Sequence, residues 1–373
     1  MRIAFYAPMK PPDSPVPSGD RTIARALIRA LDMGGHDVFI ASQFQSREPL
    51  GDPDRQRAVQ EEGGAIATSL VETYRGSDGP DLWFTYHLYY KAPDWIGPIV
   101  AGELGIPYVA AEASHAPKRA GGRWDINHCQ VEKSVVEADL IVGLNSLDAR
   151  CIRPLLSGPE KMIQLRPFME APADLRYDRD GLRKTWSERF GIPLDRPWYL
   201  AAAMMRPGAK QQSYSTLAEA LRKLGSENYA LIIAGDGPAR EEIEALCKSL
   251  PVYFIGEVRA VDLLGLMSSS DLFVWPAIDE AYGMAILEAQ SQGLPVIAGR
   301  SGGVGDIVRD GETGTLVPVG DAEALAAAIR ELTMDVPARQ DMSQNARQVF
   351  ERDHTLDFAS AQLNQALEAL VHG

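Results

Sequence analysis

Short, continuous apolar runs recur along the 373 residues, each followed by a loop or turn and most then by a segment with helical spacing. In the first half they fall at 2–7, 38–41, 81–87, 107–111, 139–144 and 161–165, and in the second at 198–205, 230–234, 252–256, 271–274, 295–298 and 315–317. This alternation argues for parallel sheets covered by crossover helices. It breaks over 166–180, where Pro, Ala, Asp and Arg follow no period, and then restarts. A chain this long exceeds the usual single core, so two domains of ~150–200 residues are expected. The expected boundaries are an N-terminal domain over 1–168, a linker region over 169–195, a C-terminal domain over 196–355 and a closing helix over 356–373.

Composition narrows the partners. A net charge of −14 argues against nucleic acid, and no apolar run reaches the length of a membrane span. Cys129, Cys151 and Cys247 are an odd count without metal spacing, which fits a reducing compartment. The expected location is the cytoplasm, with at most peripheral contact at the inner face of a membrane. Oligomeric state is left open.

The densest chemistry lies between Trp275 and Gly293. After an apolar strand and Pro276, a helix is expected from about 283 to 292. Glu280 precedes the helix and Glu288 lies inside it, with seven residues between them. The amides of Gly283, Met284 and Ala285 would be the open donors of the first turn, a place suited to phosphate or sugar oxygens. Glu288 shares a face with Met284, so a ligand held by that turn is within reach of its carboxylate, which suits sugar hydroxyls.

This stretch resembles the E-x7-E signature of retaining glycosyltransferases of the GT-B fold, family 4 (glycosyl transferases group 1). The resemblance covers nearly all of residues 1 to 330 and is strongest from 198 to 319. It implies two doubly wound Rossmann-like domains facing each other across a cleft, and transfer from a nucleotide-sugar donor with retention at the anomeric carbon. By the same resemblance Glu280 and the Tyr282–Ala285 segment meet the donor sugar and diphosphate, and Glu288 the ribose. Arg206 and Lys210 stabilise the departing diphosphate, although their spacing is one residue shorter than the family's. Gly235, in Gly235-Asp236-Gly237-Pro238, and the main chain near Val258 complete the donor site. His115 lies against the sugar near the reacting carbon. No cofactor and no metal are implied.

In the first half Ser18-Gly19-Asp20 resembles the family's Gly loop near the donor phosphates, and reads equally well as a helix N-cap turn with Asp20 as the cap. His87 and His115 lie at the carboxyl ends of predicted strands. His87, Lys118 and Arg119 are candidates for an acceptor, whether a sugar, a lipid-linked glycan or a small molecule. The turn Arg166-Pro167-Phe168-Met169-Glu170 departs from the family's Asn-Gly-Val-Asp. Two D-x-D triplets, at 52–54 and 178–180, follow no apolar strand and read as surface carboxylates rather than a metal motif. A nucleotide-sugar epimerase or phosphorylase of this fold, or a non-catalytic nucleotide-sugar-binding protein, are the alternatives. A nicotinamide dehydrogenase is disfavoured, because no strand leads into G-x-G-x-x-G.

Overall fold

Each half of the chain folds around a six-stranded sheet in which every pairing is parallel. The computed structural model describes residues 1–15, 18–76, 78–171, 178–225 and 228–372. It divides into one unit of Met1–Glu170 with Leu356–Gly373 and a second of Ala171–Thr355. Among the described residues no helix is long and apolar enough to cross a membrane.

The first unit runs β1 (Arg2–Tyr6), α1 (Gly19–Met33), β2 (Asp37–Ser42), α2 (Pro53–Arg75), β3 (Leu82–Leu88), α3 (Gly97–Leu104), β4 (Tyr108–Ala113), α4 (Asp125–Glu137), β5 (Leu140–Gly143), α5 (Ser146–Ile152) and β6 (Met162–Gln164). The second runs α6 (Arg179–Phe190), β7 (Trp198–Ala202), α7 (Ala209–Leu224), β8 (Ala230–Ala234), α8 (Arg240–Leu246), β9 (Val252–Gly256), α9 (Ala260–Ser269), β10 (Leu272–Trp275), α10 (Met284–Ser291), β11 (Val296–Gly299), α11 (Val304–Ile307), β12 (Gly314–Val317), α12 (Ala322–Met334) and α13 (Val336–Asp353). The closing helix α14 (Leu356–His372) returns to the first unit, where Ser360 Oγ donates to the Ala30 carbonyl of α1 at 2.7 Å.

The strand orders decide where ligands can go. The first sheet is β2-β1-β3-β4-β5-β6, which reverses direction between β1 and β3. The second is β12-β11-β10-β7-β8-β9, the doubly wound order, which reverses between β7 and β10. Loops leaving the carboxyl ends on either side of such a reversal diverge and leave a crevice. The central strands are apolar because helices cover both faces: Ile3 to Tyr6, Trp83 and Phe84 in one core, and Trp198, Leu200 and Phe273 in the other, are fully buried.

Residues 53–75 form a 23-residue helix. Both D-x-D triplets are helix starts. Asp52 accepts from the amides of Asp54 and Arg55, with Pro53 in the first turn. Asp178 accepts from the Gly181 amide. These carboxylates satisfy orphan helix donors. The second lies in the expected linker, where 172–177 are outside the described residues and 179–190 are helical.

Candidate active site

In the second unit the expected donor residues gather at the β7/β10 reversal. Lys210 sits in the first turn of α7, which begins at Ala209. Its Nζ pairs with Glu280 Oε2 and lies 5.3 Å from the centre of the Trp275 ring. Trp275 Nε1 donates to the same Glu280 oxygen at 3.1 Å. The carboxylate leaving β10 is thus held by a cation and an indole that come from opposite sides of the reversal. Tyr214 on α7 meets the Trp275 ring edge-on at 5.0 Å and donates to the Ala203 carbonyl at 2.8 Å, which fixes the indole.

The loop carrying Glu280 is conformationally costly. Ala277 and Asp279, neither of them glycine, have φ of +54° and +48°. Left-handed non-glycine backbone costs about 1 kcal/mol or more per residue and persists only where neighbours enforce it. The enforcing contacts are visible. The Ile278 amide donates to Ser213 Oγ at 3.0 Å and the Glu280 amide to Ser301 Oγ at 3.2 Å, while the Gly303 amide donates to the Ala281 carbonyl at 2.9 Å. A Cβ on Gly302, whose φ is +47°, would stand 1.9 Å from the Glu280 carbonyl oxygen. The loop after β11 is therefore pressed directly against the Glu280 backbone.

Gly283, at φ +80°, is the N-cap of α10 and no side chain caps the helix. The amides of Gly283, Met284 and Ala285 donate to no other described residue. Open first-turn amides of this kind suit phosphate or hydroxyl oxygens. Glu288 is partly buried rather than fully solvated on its helix. No cation or donor among the described residues reaches its carboxylate, and burial pushes its pKa up to about 7. An orphaned carboxylate of this kind is ready to accept ligand hydroxyls.

Arg206 lies exposed in the loop between β7 and α7, and no carboxylate among the described residues pairs with it. The Asp236 carbonyl receives the Met205 amide at 2.9 Å, and the Met205 carbonyl receives the Ala239 amide at 2.9 Å. Gly235 and Gly237 have a packing reason to be glycine: a Cβ at either would stand 2.1 Å from the Ala203 carbonyl oxygen or 2.4 Å from that of Met205. These two glycines buttress the segment that presents Arg206. Val258 follows β9, half-buried.

The first unit shows a parallel arrangement at its own reversal. Ser18, not Asp20, caps α1, accepting from the Arg21 amide at 3.3 Å. Asp20 instead places its carboxylate 3.0 Å from His87 Nδ1 at the end of β3. Burial pushes the His87 pKa down, but the Glu112, Asp20 and Asp148 carboxylates outweigh it and hold the imidazole above its ordinary value. Gly19 has nothing within 4 Å of a Cβ position, so neither packing nor φ requires glycine there. Residues 16 and 17 of this loop lie outside the described residues. His115 stacks on His128 at 4.9 Å, with Glu132 Oε2 3.5 Å from its Nε2. Lys118 is exposed, whereas Arg119 lies 4.7 Å over the Tyr90 ring and 5.0 Å over Trp124. Tyr90, Trp124, His128, Glu132 and Ser301 were not singled out from sequence. Only the His128–Glu132 spacing of four on one helix could have flagged any of them.

Residues 183–349 match the family model described as Glycosyl transferases group 1. Through this stretch, a little under half of the chain, the second unit is similar to that family. The glycosyl transferases group 1 region begins inside α6 and ends inside α13, so it contains every residue from Arg206 to Gly303 described above. The sulfoquinovosyl transferase of Arabidopsis thaliana is 36% identical over 145 residues, which is 38% of this chain and only 28% of that protein's length. The D-inositol 3-phosphate glycosyltransferase of Saccharomonospora viridis is 25% identical over 305 residues, covering 76% of this chain and 70% of its own. Among solved structures, Anabaena HepE in complex with UDP aligns over 99% of this chain and 100% of its own, with a TM-score of 0.72 and 17% identity. The fold is GT-B, built from two Rossmann-like units.

Proposed function

We propose that this protein is a retaining, metal-independent glycosyltransferase of family 4, which moves a sugar from a nucleoside-diphosphate-sugar donor to an acceptor hydroxyl. The observation that carries the reading is the constellation at the β7/β10 reversal: Glu280 held by Lys210 and Trp275, beside the open amides of Gly283 to Ala285 and the orphaned Glu288. Cations and amides suit a diphosphate, and carboxylates suit neutral sugar and ribose hydroxyls. Similar proteins support the same class, since HepE was solved with UDP and the relatives named above are named for sugar transfer.

In this reading Arg206 and Lys210 take the charge that grows on the diphosphate as the bond to the anomeric carbon breaks. Lys210 is already committed to Glu280, so Arg206 supplies the uncommitted charge. Glu280 orients the sugar, Glu288 the ribose, and the main chain at Val258 meets the base. His115 is assigned to the sugar, and His87, Lys118 and Arg119 to the acceptor, a sugar, lipid-linked glycan or small molecule. The departing phosphate receives the acceptor's proton.

Arg206→Ala is expected to lower kcat on the order of 100-fold with little change in stability, because the side chain is exposed and unpaired. Turnover of labelled donor, with circular dichroism as the fold control, measures this. An undiminished kcat would remove Arg206 from the reaction. Proton NMR of the first-formed glycoside tests retention, and an inverted anomer would overturn it.

A further inference from the structure

Between the loop after β4 and the outer face of α4, three side chains converge that the transfer reaction does not use together. His128 and Glu132 stand four residues apart on α4, and His115 comes from the loop. The two imidazoles are stacked at 4.9 Å with planes 19° apart. Glu132 Oε2 is 3.5 Å from His115 Nε2 and 3.9 Å from His128 Nε2, and the three donor atoms lie within 4.8 Å of one another. Both histidine side chains are more than nine-tenths buried, while Glu132 is half exposed. His115 Nε2 is buried and makes no hydrogen bond, an expensive state for a polar atom.

We propose that His115, His128 and Glu132 form a binding site for a borderline divalent transition cation, of which Zn²⁺ is the best match. Two imidazole nitrogens and one carboxylate oxygen are a three-ligand zinc set that leaves a fourth position for water. Zinc bonds of about 2.0–2.1 Å in a tetrahedron place ligand atoms about 3.3 Å apart, so the two glutamate pairs must close by about 0.2 and 0.6 Å, and the two stacked rings must turn so that their nitrogens, within 4.8 Å of each other, converge on the ion. The half-exposed glutamate gives the cation a path from solvent to the two buried rings. Mg²⁺ and Ca²⁺ prefer all-oxygen shells and fit poorly. The site does not depend on the transferase reading. If that reading holds, the cation is no part of the transfer: it occupies His115 Nε2 and withholds that nitrogen from the sugar, so zinc acts as an inhibitor.

The test is isothermal titration of the full, metal-stripped chain with zinc chloride at pH 7.5, with no sugar nucleotide present. One Zn²⁺ per chain is expected, undisturbed by millimolar Mg²⁺. Glu132→Gln alters a half-exposed position and should fold normally. It and His128→Gln should each weaken zinc at least ~10-fold, as the loss of a direct ligand should exceed the loss of a supporting contact. Zinc should raise the Tm of the wild type and not of Glu132→Gln. The absence of stoichiometric binding, or unchanged affinity in a folded Glu132→Gln, would overturn the proposal. So would binding lost only on Cys129→Ser, which would place the metal on the exposed thiol of the same helix.

Discussion

Replacing Glu288 by Gln is expected to make the protein more stable at pH 8, by about 2 kcal/mol, while weakening nucleotide-sugar binding at least about tenfold. The two effects have one cause. The folded pKa of about 7 lies above the ordinary 4.5 because burial penalises the anion. Between those values the folded state keeps a proton that the unfolded state has lost. Wild-type stability therefore falls as pH rises through that window, and above pH 7 the full penalty is present. Glutamine does not ionise, so the variant's advantage should be largest at pH 8 and vanish near pH 4.5. For a chain of this size the gain at pH 8 amounts to several degrees in Tm. In the proposed reading binding suffers because ribose hydroxyls lose a charged acceptor. By the same logic donor affinity of the wild type should decline below pH 7 as Glu288 protonates. Thermal melts across pH measure the first effect and calorimetry the second. A variant no more stable than the wild type at pH 8 would show that the carboxylate is solvated.

Gly302→Ala is expected to destabilise the second unit by about 2–4 kcal/mol and to abolish donor binding, although residue 302 is not itself expected to touch the donor. Its Cβ would stand 1.9 Å from the Glu280 carbonyl oxygen, at a φ that L-residues seldom adopt. The loop must retreat, which breaks the bonds from the Glu280 amide to Ser301 Oγ and from the Gly303 amide to the Ala281 carbonyl. The strained turn at Ala277 and Asp279 then loses what enforces it. Gly305→Ala is the control. That position lies in α11 with nothing within 4 Å of a Cβ, so alanine there should be neutral or slightly stabilising. Chemical denaturation and donor titration of both variants separate the outcomes, and similar behaviour of the two would remove the buttress from the account.

The strands were legible because helices cover both faces of each sheet, so that runs such as Ala230 to Ala234 carry no alternation to obscure them. Helix α2 was not, because its buried residues are few and include Gln56 and Gly63, which leaves a weak apolar stripe. Its clearest signal, Asp52-Pro53, is a cap that also resembles a metal motif. Glu280, Glu288 and the open turn between them were legible as types and spacing. The burial of Glu288, by contrast, depends on tertiary neighbours. The same holds for Gly302, which reads as an ordinary loop glycine until the Glu280 backbone is laid against it. Strand order is likewise invisible in a sequence, and it is what brings Lys210 to Glu280 and Asp20 to His87.

The most direct test of the donor site is a thermal-shift and calorimetric panel of nucleoside diphosphates and nucleotide sugars, with and without EDTA, on the wild type and Glu288→Gln. One nucleotide sugar should stabilise the wild type with or without EDTA, by about 2.7 kcal/mol at a hundred times its dissociation constant, and should stabilise Glu288→Gln far less. Strong stabilisation that requires a divalent metal, or that survives the loss of Glu288 undiminished, would contradict the site at the β7/β10 reversal.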